Sequence, residues 1–234
     1  MGRLGSYPQP VGLSSVPFPF QAVRVARDHP VRLVALGAHP DDLEIACGGT
    51  LLRLLAVLPV SSVRWIVLAG TPERAAEARA AATEMVAGAR DCVVVVHGFQ
   101  DGFLPAHWDS VKRTLQTTAA TAPTDLVFCP SRQDAHQDHR LVAELAWQVF
   151  RGATILEYEV PKWDGDLGQP SLYVPLDEDT VARKIALLHR CFPSQAGKPW
   201  FDDEVFRGLL RLRGMECGAR YAEAFYAHKL VLLM

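Results

Sequence analysis

Two stretches of this 234-residue chain hold the residue types best suited to chemistry. One is Gly37-Ala-His-Pro-Asp-Asp-Leu-Glu-Ile-Ala-Cys-Gly-Gly-Thr50; the other, far along the chain, is His136-Gln-Asp-His139. Imidazole nitrogen and carboxylate oxygen are ordinary Zn²⁺ ligands, and a catalytic zinc takes three of them and leaves a position for water. His39 and Asp42 are three apart on a tight turn, so both can face one point. His136 and His139 have the same separation, and one or both can complete the set. A metal held this way lowers the pKa of water toward ~7 and polarises a carbonyl oxygen. Asp41 must point elsewhere on the turn and is free to act as general base. The spare histidine could hydrogen-bond an oxyanion, with Asp138 orienting it. Together these are the parts for amide hydrolysis. Either stretch alone reads more readily as structure, because Asp-rich turns satisfy backbone amides and HxxH pairs are common on surfaces.

What favours the metal is the placement of both stretches at the ends of apolar, β-branched runs. Val31 to Leu36 is punctuated by Gly37, and Asp125 to Cys129 is ended by Pro130; both read as buried strands. Between and around them, strands are expected over Val63 to Ala69 and over Val93 to Val96, the latter apolar enough to be buried. Helices are expected over Gly48 to Val60, Glu73 to Ala87, Trp108 to Ala120 and Arg140 to Phe150. Thr71 and Pro72 supply an N-cap and first helical residue for the second of these. Beyond Ala153 the pattern is less regular. Strands are expected over Thr154 to Val160, Ser171 to Val174 and Tyr226 to Leu233, and helices over Asp179 to Cys191 and Asp203 to Met215. Alternating strand and helix predicts an α/β domain with a mostly parallel sheet and helices on both faces. Ligands in such sheets bind at the carboxyl ends of strands, where both stretches lie.

Composition is consistent with this. At 49% hydrophobic the chain can bury a full core in a single domain. A net charge of -2 speaks against a nucleic-acid surface. No apolar run is long enough to span a bilayer, so membrane insertion is not expected, and no signal-peptide pattern opens the chain. Five irregularly spaced cysteines fit buried thiols in a reducing, cytoplasmic setting. The division expected is an N-terminal arm over residues 1–30, Pro-rich from Tyr7 to Phe20, and one domain over 31–234.

AHPDDLEIACGGT is similar to the signature AHPDD-x-E-x-x-x-GGT of the PIG-L/LmbE-like N-acetylglucosaminyl deacetylases, with every fixed position present. PSRQDAHQDHR resembles that family's H-x-D-H motif. Arg74-x-x-Glu77, Asp101-Gly102-x-Leu104 and, more loosely, Ala222-Glu-Ala-Phe225 also resemble family positions. The resemblance implies a Rossmann-like sheet and zinc held by His39, Asp42 and His139. It implies Asp41 as the base, His136 as oxyanion partner or proton donor to the amine, and Asp138 as the residue orienting His136. Zinc is the implied cofactor, although another divalent ion could replace it.

The expected reaction removes the N-acetyl group from an N-acetylglucosamine-containing small molecule, such as a sugar phosphate, nucleotide sugar, or antibiotic or thiol precursor. The competing readings are an amidase for another N-acyl or non-sugar amide, and a non-catalytic sugar-binding protein. Neither the sugar's carrier nor the oligomeric state is encoded in these motifs. Substrate contacts are sought in Arg74, which suits anions or hydroxyls but could equally pair with Glu77 on a solvated helix face. They are sought also in the loop from Pro161 to Gly168. There Trp163 offers a face for a sugar ring unless it is tucked into the core, and Asp164 and Asp166 offer hydroxyl acceptors. Glu44 is expected to support its turn by accepting backbone amides. Cys47 and Cys129 are expected to be buried thiols rather than ligands.

Overall fold

The computed structural model describes residues 30–121 and 123–230. The N-terminal arm expected over 1–30 therefore lies almost wholly outside the described residues. The strands are β1 (Val31–Gly37), β2 (Val60–Ala69), β3 (Asp91–Phe99), β4 (Leu126–Pro130), β5 (Thr154–Tyr158), β6 (Leu172–Leu176) and β7 (Tyr221–Tyr226). The helices are α1 (Asp42–Val57), α2 (Pro72–Met85), α3 (Trp108–Thr121), α4 (Gln137–Val149), α5 (Glu178–Cys191) and α6 (Asp203–Glu216).

All seven strands form one sheet in the order β3-β2-β1-β4-β5-β7-β6. β3 through β5 pair in parallel, and β7 runs antiparallel to both of its neighbours. The mostly parallel α/β sheet expected from the strand–helix alternation is thus present. Residues alternate across it as the two-residue strand period requires. Leu33, Ala35, Val63, Trp65 and Val67 join a core with Leu43, Leu51, Ala78, Val181 and Phe206, from α1, α2, α5 and α6. Val34, Leu36, Ile66 and Leu68 join a second core with Val111, Leu115, Val142 and Leu145, from α3 and α4. Helices therefore cover both faces. From β1 the chain winds outward in one direction through β2 and β3, and in the other through β4 and β5. This makes the β1/β4 boundary the switch point at which such folds open a crevice.

Three elements differ from expectation. α1 starts at Asp42, six residues before the Gly48 expected, and ends at Val57, so that Val60 opens β2. Two glycines read as a helix start, but here they are interior residues in close contact with neighbours. A Cβ on Gly49 would stand 2.5 Å from Leu176 Cδ1 and 3.0 Å from Glu223 Oε1. Packing outweighs the intrinsic cost of helical glycine. β3 is longer than expected and only partly buried: Val96 is in the core and Val94 and Val95 are half-buried, but as an edge strand it leaves Cys92 and Val93 exposed. β7 is Tyr221–Tyr226 and so lies before the strand expected over Tyr226 to Leu233, of which 227–230 are not strand and 231–233 lie outside the described residues; its Glu223 is buried against Lys184.

Candidate active site

β1 ends at Gly37, and the next four residues turn the chain into α1. Asp42 closes this turn: its Oδ2 accepts the amides of Ala38 at 2.9 Å and His39 at 2.8 Å. Asp41 caps the helix in the left-handed region, at φ 88°, the only non-glycine residue there among those described. A residue held in that region needs a surrounding structure that over-determines it. Here Ile45 donates its amide to the Asp41 carbonyl at 2.9 Å, and Arg74 from α2 pairs with the Asp41 carboxylate at 2.9 Å.

The second stretch follows β4, the neighbour of β1 across the switch point. His136 caps α4 and its Nδ1 accepts the Asp138 amide at 3.2 Å. An acceptor Nδ1 makes the neutral ring carry its proton on Nε2, as a donor. His139, one turn in, is buried and reaches back across the strand ends. His39 Nδ1 and His139 Nε2 stand 3.2 Å apart, His139 Nε2 and Asp42 Oδ2 3.3 Å, and His39 Nδ1 and Asp42 Oδ2 3.7 Å. Donors about 2.0–2.1 Å from a tetrahedral zinc stand about 3.3–3.4 Å from one another, so this triangle fits such an ion. The His136 ring lies beside it, its centroid 4.8 Å from that of His39 and 5.0 Å from that of His139. The three histidines also form a group of potential ligand atoms in their own right.

The far nitrogen of each inner histidine is held by carboxylates. His139 Nδ1 is 2.8 Å from Asp134, whose same oxygen accepts Lys162 Nζ at 2.9 Å. His39 Nε2 lies 3.1 Å from Asp138 and 3.0 Å from Asp101. Ligating histidines commonly use their second nitrogen in this way, which fixes ring orientation and tautomer. Asp138 is fully buried and also accepts the amides of Gly102 at 2.7 Å and Leu104 at 3.0 Å. The expected orientation of His136 by the Asp138 carboxylate is therefore not what the structure contains. That carboxylate faces His39 and the 102–104 backbone, and only the Asp138 amide meets His136. Asp134 was missed by sequence reasoning, although its place two residues before the first histidine of HxDH was a usable signal.

The electrostatics suit a cation at this point. Burial opposes charge on His39, but hydrogen bonds to Asp101 and Asp138 and the charge of Asp42 outweigh it and raise its pKa to about 10. Burial likewise opposes charge on His139, and Asp42 and Asp134 raise it to about 9. Asp42 is buried yet held well below the usual carboxylate range by the His139 and His39 charges. Asp41 differs from its neighbour. Burial, opposed by Arg74, lifts it to about 7, in the range of a general base at neutral pH.

The remaining candidates divide. Arg74 lies on no solvated face: its guanidinium contacts Asp41 at 2.9 Å, donates to the Pro40 carbonyl and stands 3.7 Å from Glu77, itself buried. Ser194 donates its amide and hydroxyl to Glu77 at 2.8 and 2.7 Å, tying α2 to the turn after α5. Trp163 is 77% exposed, which removes the reading that tucks it into the core, and Asp164 is exposed beside it. Asp166 instead anchors the loop, accepting Lys162 Nζ at 2.7 Å and the Ala135 amide at 2.6 Å. Glu44 is buried and accepts no amide of the turn, contrary to expectation; burial pushes its carboxyl well up. Cys47 and Cys129 are free, wholly buried thiols.

A mostly parallel sheet with His/Asp turns on both sides of its switch point defines the α/β class to which this chain belongs. Within that class, the family model described as PIG-L, GlcNAc-PI de-N-acetylase, matches residues 34–150, half of the chain. The protein belongs to the PIG-L family. Solved structures similar to it include the conserved protein TT1542 from Thermus thermophilus, at 25% identity and TM-score 0.65, covering 86% of this chain and 96% of that one. The N,N'-diacetylchitobiose deacetylase of Pyrococcus horikoshii matches at 19% identity and TM-score 0.62, over 83% of this chain and 82% of its own. GalB, the 4-carboxy-2-hydroxymuconate hydratase of Pseudomonas putida KT2440, matches at 18% identity and TM-score 0.70, over 87% and 98%. One fold thus carries both deacetylase and hydratase chemistry among its neighbours, so function has to be read from the site and not from the fold.

Proposed function

We propose that this protein is a metal-dependent hydrolase that removes the N-acetyl group from an N-acetylglucosamine-containing small molecule, releasing acetate and a free amine. The observation that carries the reading is the triangle of His39, Asp42 and His139 with the donor imidazole of His136 beside it, next in sequence to a separate carboxylate, Asp41, that pairs with Arg74. His39 Nδ1, His139 Nε2 and the Asp42 carboxylate would hold the ion, for which zinc is the best match. When bound, it would supply positive charge that polarises an amide carbonyl and acidifies a water molecule.

The protein's own groups account for the proton movements. Asp41, aimed by Arg74, takes a proton from the attacking water. As the carbonyl carbon becomes tetrahedral, His136 Nε2–H donates a hydrogen bond to the developing oxyanion. Collapse breaks the C–N bond, and the proton held by Asp41, or that of His136, passes to the departing nitrogen. Asp134 keeps His139 in the tautomer that turns Nε2 toward the ion, and Asp138 with Asp101 does the same for His39 Nδ1. Arg74, with its guanidinium against the Asp41 carboxylate, is a candidate contact for a substrate hydroxyl or phosphate. Trp163 and Asp164 are candidates for contact with the sugar or its carrier, whereas Asp166 is better suited to holding their loop. No helix among the described residues is long and apolar enough to cross a membrane. A cytoplasmic setting is supported by five cysteines, all free.

The test is acetate release from soluble N-acetylglucosamine derivatives, with and without a chelator, beside analogues with longer N-acyl chains. Chelator-sensitive release from the acetylated sugars alone is the expected result. Preference for longer acyl chains or non-sugar amides would establish the amidase reading instead, and binding without turnover at full zinc occupancy would overturn both.

A further inference from the structure

α1 carries a buried ion pair inside its hydrogen-bonding ladder. Ile45 and Gly49 are the carbonyl and amide of one i to i+4 step of that helix. The Ile45 carbonyl accepts Lys184 Nζ of α5 at 2.6 Å, and the Gly49 amide donates to Glu223 Oε1 of β7 at 2.8 Å. Lys184 Nζ and Glu223 Oε1 are themselves 2.7 Å apart, and the other glutamate oxygen accepts the Thr50 amide at 2.6 Å. Both side chains are 2% exposed. Gly49 makes room: a Cβ there would stand 2.5 Å from Leu176 Cδ1 and 3.0 Å from Glu223 Oε1.

A buried ion pair is a weak source of stability, since desolvation offsets most of its attraction, and its best-attested use is to set register. Here the register it sets belongs to the catalytic turn. Ile45 both accepts Lys184 at its carbonyl and donates its amide to the carbonyl of Asp41, the left-handed residue. Asp42, the first residue of the same helix, lies one turn away from the pair. We propose that Lys184 and Glu223 are positioning residues, which hold the first turn of α1 so that Asp41 and Asp42 keep their places at the site. Neither touches the reacting atoms. The pair joins α1, α5 and β7, and so lets the irregular second half of the chain define the geometry of a turn in the first half.

The inference rests on His39, Asp42 and His139 being metal ligands, and the experiment separates the two ideas. Zinc is titrated into metal-free wild type and into Lys184→Met/Glu223→Gln, which is neutral and close to isosteric, well below the unfolding transition. Wild type that takes up no zinc defeats the ligand assignment. If wild type binds, the double variant is expected to bind zinc about 10–100-fold more weakly, the range for residues that orient ligands. Its kcat should fall while KM stays near that of wild type. Zinc affinity and kcat within about twofold of wild type, whatever happens to Tm, would reduce the pair to a structural contact and overturn the proposal. Should the double variant not fold, Glu223→Gln, which keeps a carbonyl acceptor for the α1 amides, is measured by the same two readouts. Gly49→Ala, whose Cβ would press on Leu176 and Glu223 from the helix side, should shift both in the same direction.

Discussion

The turn after β1 and the loop after β5 both leave carboxyl ends of the sheet, yet they are held in opposite ways. In the turn, every residue from Pro40 to Thr50 is buried, and the carboxylate of Asp42, the carbonyl of Asp41 and the guanidinium of Arg74 each have a fixed partner. In the loop, Lys162 and Asp166 are anchored to Asp134 and Ala135, while Trp163, Asp164 and Gly165 project into solvent. Under the proposed function the difference separates two tasks. Chemistry requires atoms held to fractions of an ångström, and burial with several partners achieves that. Recognition of a variable carrier tolerates, and benefits from, a surface that a few substitutions can alter while its anchors stay in place.

The comparison can be broken by substitution, most strongly in the turn. Asp42→Ala removes both a proposed ligand and the acceptor for two amides, and His139→Ala removes a proposed ligand. Either protein should lose stoichiometric zinc and all measurable acetate release, as metal analysis of the purified variant would show. Asp41→Asn should leave zinc content unchanged and lower kcat by about 10²–10⁴-fold, the usual contribution of general base catalysis. Near-normal kcat would return the base assignment to another residue. Asp134→Ala lies at the join of the two regions, since Asp134 holds both His139 and Lys162. Its zinc affinity should drop about 10–100-fold, measurable by competition with a chromogenic chelator. The smallest effect is expected at the loop tip. Trp163→Ala should raise KM by no more than about tenfold, the equivalent of one aromatic contact, with zinc content and kcat unaltered. An unchanged KM across several carriers would take Trp163 out of substrate recognition.

Legibility in the sequence followed the same division. Strands β1, β2 and β4 were readable because burial on both faces leaves short, continuous apolar runs. The helix after β1 was misplaced because Asp42 to Thr50 is buried on all sides, so no polar face marked where it began. β3 was read as buried from the same apolar character that β1 shows, and nothing local distinguishes a central strand from an edge. The pairing of Glu223 with Lys184 has no local signature. Singly, each charge reads as surface, and only the meeting of α5 with β7 makes them internal.

What the sequence by itself determined is the set of groups available to the chemistry. His39, Asp41, Asp42, His136 and His139 are set by residue type and close spacing, and strand ends bring the two stretches to one edge of the sheet. The tertiary structure decided which group serves which. Asp138 turns to His39, Asp134 supports His139, and Arg74 faces Asp41, because a carboxylate or guanidinium can take any partner its backbone brings within about 3 Å. Spacing along a turn restricts where a side chain can point, but the identity of the partner depends on packing between elements far apart in the chain.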